Sequence, residues 1–103
     1  MIPAKFRLPP GGFKAGGYRS IRTSFFSLKF KDNGTGANRI GIVVGKSVDK
    51  RATQRNFWER QAKVQLLKAP KLGKDLIITI FPKVNTLTKA DFVKEISKAI
   101  QTI

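Results

Sequence analysis

The chain contains no cysteine and no histidine. Disulfides and thiolate metal sites are therefore excluded. So are the usual neutral-pH acid–base group and the commonest metal ligand. Carboxylates are scarce, with Asp and Glu totalling 6. They stand at Asp32, Asp49, Glu59, Asp75, Asp91 and Glu95, and none forms a close pair by spacing. General acid–base catalysis by this chain is not expected. No apolar run is long enough to cross a bilayer, and Met1 to Pro10 lacks the apolar centre of a signal peptide. These absences lead to the expectation of a soluble, cytoplasmic protein with no membrane partner and no small-molecule substrate.

Positive charge is what the chain has in excess. Lys and Arg total 21 in 103 residues, for a formal net charge of +15. A domain so charged repels itself, and a polyanionic partner relieves that repulsion. The basic residues run along the whole chain rather than gathering in one amphipathic anchor, which favours nucleic acid over anionic lipid. Charge that serves only solubility is the bland alternative. Apolar residues make up 41%, enough for one core in a domain of this length.

Residues 1–23 read as an arm. Pro9-Pro10-Gly11-Gly12 and Gly16-Gly17 resist a long helix, and Phe6, Phe13 and Tyr18 are expected to pack the arm down. Residues 24–103 read as a single domain. Ser24 to Phe30 has the alternation of a strand, with Phe26, Leu28 and Phe30 on one face and Phe25, Ser27 and Lys29 on the other. Asn33-Gly34 is turn chemistry. Arg39 to Gly45 is apolar nearly throughout, which predicts a central strand paired antiparallel with the first. Asp49 is placed to cap a helix running to about Lys68, ended by Pro70 and Gly73. Asp75 to Phe81 predicts a buried third strand, closed by Pro82. Thr88 and Asp91 make a capping box for a final helix, with Phe92, Ile96, Ala99, Ile100 and Ile103 on one side. The order arm–β–β–α–β–α gives an α+β fold, one small sheet packed with helices.

The helix after Asp49 carries the functional argument. At about 100° per residue, Asn56, Arg60 and Lys63 share a narrow stripe, and small Ala52 one turn earlier lets a phosphate backbone approach. Trp58, Ala62, Leu66 and Ala69 point another way, toward the core. Arg51 and Arg55 flank the first turn, and Lys46 and Lys50 enlarge the field just before it. Guanidinium forks match phosphate oxygens. The unpaired N–H groups and positive dipole of the first turn attract anions as well. A basic helix side is often only a solvated face, and Glu59 has the spacing to pair with Lys63. The charge of the whole chain tips the balance toward nucleic acid.

The run Arg51-Ala52-x-x-Arg55-Asn56-x-x-x-Arg60 resembles the signature helix of the bacterial ribonuclease P protein subunit. The strand and lysine before it, Arg39-Ile-Gly-Ile-Val-Val-Gly-Lys46, are similar to that family's lead-in. Gly73-Lys74-Asp75 with its apolar strand and the closing helix extend the similarity over residues 24–103. The resemblance implies an α+β fold of the ribosomal-protein-S5-domain-2-like type, with a left-handed β-α-β crossover. It implies binding to the catalytic RNA of ribonuclease P through the basic helix. It further implies a cleft between the sheet and an N-terminal helix for the 5′ leader of precursor tRNA. Hydrolysis is then the work of the RNA subunit with Mg2+, and the protein is an enzyme only as part of the holoenzyme. By motif position Lys46, Arg55, Asn56 and Arg60 inherit RNA contact, with Lys50, Arg51 and Lys63 beside them. Phe25, Phe26 and Phe30 are candidates to line the leader cleft.

The chain departs from the family pattern at Phe57, Glu59 and Lys63, where basic residues, and arginine at the last, are usual. Phe57 either stacks on a base or packs against the arm. Pro9 to Gly17 also resists the family's first helix. Gly45-Lys46-Ser47 is not a phosphate-binding P-loop, because Ile40 stands where that motif needs glycine. A ribosomal-type RNA-binding protein is the alternative reading. A helix-turn-helix DNA module lacks the preceding helix.

Overall fold

The computed structural model describes residues 17–34, 38–69 and 73–103. The residues 1–16 of the arm, with Phe6 and Phe13, and Pro70 lie outside them. In β2 (Phe26–Asp32), apolar Phe26, Leu28 and Phe30 alternate with Ser27, Lys29 and Lys31, so one face of the strand is built for a core. It starts two residues later than its alternation suggested, because Thr23 makes a tight turn first. The Thr23 hydroxyl accepts from the Phe25 and Phe26 amides, both at 3.1 Å. That turn joins β2 to β1 (Arg19–Arg22), its antiparallel neighbour. Residues 19–22, read from sequence as part of the arm, are therefore a strand of the sheet.

The sheet order is β1-β2-β4-β3, where β3 is Arg39–Val44 and β4 is Lys74–Ile80. β4 pairs antiparallel with β2 and parallel with β3. Parallel neighbours need a long crossover, and α1 (Ala52–Lys68) supplies it. Two expectations give way here. β3 is not central, and it does not pair with β2, because β4 lies between them. β3 ends the sheet, and its Val43 is 40% exposed. Its apolar run has another cause: α1 packs on this strand, and Ile40 faces the core. Gly34 does take the positive φ that Asn-Gly calls for, 72°, but the connection leads past β4. The buried third strand is confirmed, with Leu76, Ile77, Ile78 and Ile80 all buried.

Register puts Phe26 beside Ile80, Leu28 beside Ile78, and Ile40 beside Leu76 on one face. Against that face pack Trp58, Ala62 and Leu66 of α1, with Phe92, Ile96 and Ala99 of α2 (Lys89–Gln101). Phe92 joins the layers edge-on, 6.2 Å from Phe26 and 5.0 Å from Trp58 between ring centroids. The Thr88 side chain accepts from the Asp91 amide at 3.2 Å, as the capping-box spacing predicted. Thr88→Ala should cost about 1 kcal/mol in urea unfolding, with the slope of the transition unchanged.

One carboxylate is buried on the sheet face away from the helices. Asp75 has a side chain 1% exposed, at the head of β4. Arg39 of β3 donates to both its oxygens, Nε at 2.8 Å and a terminal nitrogen at 2.9 Å. Asn33 adds a third donor at 3.0 Å. Burial pushes the Asp75 carboxyl up, but these hydrogen bonds and the Arg39 and Lys31 charges outweigh it, and its pKa lies below the ordinary value.

Candidate nucleic-acid interface

β3 hands over to α1 through the loop 45–51. Its turn is closed by the Val48 amide donating to Gly45 O at 3.0 Å. Val48, 4% exposed, plugs the core, and Lys46 and Lys50 on either side of it are exposed. The helix begins at Ala52, two residues after the position expected of an Asp49 cap. Arg51 is the N-cap residue and makes no side-chain cap. Asp49 instead accepts from the Arg51 amide at 2.8 Å and from its guanidinium at 3.0 and 3.2 Å. Hydrogen bonds from the Arg51 side chain first, and from its backbone second, hold the Asp49 carboxyl below its ordinary range. Arg51 is thus a compensated cation.

Arg55 is also engaged. One guanidinium nitrogen donates to Asp49 O at 2.8 Å and Lys50 O at 3.0 Å, which ties the loop to the first turn of α1. The opposite side of the helix is locked in place: Trp58, Ala62 and Leu66 are 2%, 0% and 1% exposed. What remains facing outward is the stripe read from the 3.6-residue period. Asn56 and Arg60 are exposed and Lys63 is partly buried. Among the described residues, Asn56 and Arg60 have no hydrogen-bond or ion-pair partner, and the Glu59–Lys63 pair allowed by spacing does not form. Among the described residues, Lys46, Lys50, Asn56, Arg60 and Lys63 therefore have their polar heads unengaged. Such a surface holds fixed positive charge and an amide donor where a phosphate backbone can reach them.

Phe57 is half-buried and packs edge-on against Trp58, with ring centroids 4.9 Å apart. It belongs with the core rather than with a stacking platform. Of the leader-cleft candidates, Phe26 is 0% exposed and is a core residue, so it cannot line an open cleft. Phe25 and Phe30 are partly buried and pack on that core. Lys74 Nζ sits 6.0 Å from the Phe30 ring centroid. The sheet face opposite the helices is mixed: register gives it Ser20, Arg22, Ser27, Lys29, Lys31 and Thr79, together with Ile77 and Asp75, which are buried. At its end Arg22 lies over the Phe81 ring at 5.1 Å. Near its other end Lys31 lies over Tyr18 at 4.7 Å. The alternation in β2 already places Ser27 and Lys29 on this face.

A mixed four-stranded sheet, a β-α-β unit and one cationic helical face define the class: a small basic α+β protein. The sequence model of the ribonuclease P family matches residues 15–103. The chain belongs to that family. It is 34% identical over 74 residues to the ribonuclease P protein component of Aromatoleum aromaticum, covering 70% of this chain and 62% of that protein. With the component from Ralstonia pickettii it shares 37% over 76 residues, covering 69% and 54%. The chain's match thus spans little more than half the length of these curated relatives. The fold is that of the RNase P protein of Staphylococcus aureus (TM-score 0.81, 20% identity, 94% of each chain). That of Thermotoga maritima is similar as well (TM-score 0.78, 22% identity, 94% of this chain and 96% of that one).

Proposed function

We propose that this chain is the protein subunit of a ribonuclease P holoenzyme and works in the bacterial cytoplasm. It binds the catalytic RNA through Asn56, Arg60 and Lys63, with Lys46 and Lys50 beside them. The observation that carries this reading is the unpartnered Asn56–Arg60 stripe, exposed on a helix whose other side is immobilised in the core. Arg55 and Arg51 are partly engaged, since one braces the loop and the other is paired with Asp49, and each guanidinium keeps further N–H donors for RNA. The 5′ leader of precursor tRNA lies along the β1–β2 part of the sheet face opposite the helices, where Lys29, Arg22 and Ser27, with Thr79 beside them, offer cations and hydroxyls to a single strand. Phe25 and Phe30 pack on the core and take no part in that path. Among the described residues no helix is long and apolar enough to cross a membrane.

The bond-breaking belongs to the RNA. Three carboxylates are each held by a cation: Asp32 by Lys74, Asp49 by Arg51 and Asp75 by Arg39. Among the described residues no three acidic groups converge as a metal cradle. The Mg2+ requirement of phosphodiester hydrolysis is therefore assigned to the RNA subunit. The protein's part is to lower the repulsion between RNA and precursor tRNA, so that less Mg2+ is needed to bring them together.

The test is reconstitution. The chain alone should leave precursor tRNA intact. Added to a transcribed bacterial ribonuclease P RNA at low Mg2+, it should restore cleavage at the mature 5′ end. Cleavage that is the same with and without the protein would overturn the proposal.

A further inference from the structure

We infer that Asn85 is a positioning residue for the RNA-binding surface, an inference that rests on the function proposed above. Asn85 lies in the 3₁₀ turn Pro82–Thr86 that follows β4, well away in sequence from the basic motif. Its Oδ1 accepts from Trp58 Nε1 at 3.0 Å, and its Nδ2 donates to Val48 O at 2.6 Å. An indole N–H can only donate and a backbone carbonyl can only accept, so one amide orientation alone satisfies both. The turn that holds Asn85 is itself fixed: Val84 is 0% exposed, its amide donates to Phe81 O at 3.0 Å, and the Leu87 amide donates to Val84 O at 2.9 Å.

The consequence concerns the loop. The carbonyls of Val48, Asp49 and Lys50 are consecutive, and each accepts from a side chain: Asn85 holds the first and Arg55 holds the next two. Arg55 ties the loop to its own helix, whereas Asn85 ties it to the turn after β4 and, through Trp58, to the middle of α1. Lys46 and Lys50 flank the point that Asn85 grips. A loop ordered before RNA arrives does not have to be ordered by the RNA, and that saving appears as affinity. Asn85 thus sets where the two lysines stand relative to Asn56 and Arg60.

Asn85→Leu keeps the bulk and removes both bonds. It should weaken binding to a transcribed bacterial ribonuclease P RNA by about tenfold, with an unchanged salt dependence because every cation is still present. Amide exchange over residues 48–51 should accelerate, and the indole N–H signal of Trp58, the single Trp of the chain, should exchange faster. Asn85→Ser, too short to span both partners, gives the same readouts should the leucine variant fail to fold. Arg60→Ala is the parallel control. Affinity lost with Arg60→Ala but kept in the Asn85 variants would sink the inference alone. Affinity kept in both would sink the RNA-binding reading and this inference with it. Affinity lost in the Asn85 variants with loop exchange unchanged would make Asn85 a direct RNA contact and overturn its positioning role.

Discussion

Replacing Asn56, Arg60 and Lys63 together by alanine should weaken binding to ribonuclease P RNA by about a hundredfold at moderate salt. Two cations and one amide donor leave a surface where none of the three has a role in the core. Each lost phosphate contact releases one counterion fewer on binding, so the slope of log affinity against log salt should fall by about 1–2. The control is Lys94→Ala with Lys98→Ala on α2, both exposed, which remove the same charge from a different place. If the two sets weaken binding alike, only net charge matters and the α1 stripe is not the interface. Thermal midpoints should barely move in either set, because the residues removed lie on the surface.

The second large effect concerns folding rather than RNA. Arg39→Ala should destabilise the domain by on the order of 3 kcal/mol at pH 7, read from urea unfolding. It leaves the Asp75 carboxylate, 1% exposed, with Asn33 as the remaining side-chain donor described for it. The pH dependence carries the physical signature. Because the folded carboxyl titrates below its unfolded value, its contribution is present above about pH 4 and is lost as pH falls through the lower, folded pKa. The difference between the native chain and Arg39→Ala should therefore shrink on acidification, since the pair is then broken in both. An equal loss at neutral and at strongly acid pH would mean that the arginine stem packs and that the ion pair contributes little. The same pair joins the first residues of β3 and β4, so its loss also loosens the start of the parallel edge strand.

Much of the site was readable along the chain. The helical period sorted Asn56, Arg60 and Lys63 from Trp58, Ala62 and Leu66, and the structure keeps that division because an α-helix presents fixed faces. Thr88 and Asp91 announced the start of α2 through a bond three residues long. The charge excess and the Arg55-Asn56 motif pointed to the family. Spacing placed the two arginines beside the first turn but could not give their intramolecular partners. Arg55 folds back onto carbonyls of the preceding loop, and Arg51 onto Asp49, and neither choice has a periodic signature. Phe26 shows the same limit in reverse: alternation placed it on a face, but only packing says that the face is closed by Phe92.

The sequence by itself determined the charge, the helix faces, the cap of α2 and the membership of the family, all of which depend on residues near one another in the chain. Tertiary structure alone decided that β4 lies between β2 and β3 and that β1 completes the sheet. It also decided that Arg39 meets Asp75 and that Asn85 grips the loop before α1. Local spacing dictates which way a side chain points, whereas its partner across a sheet or a crossover depends on how the whole chain closes on its core.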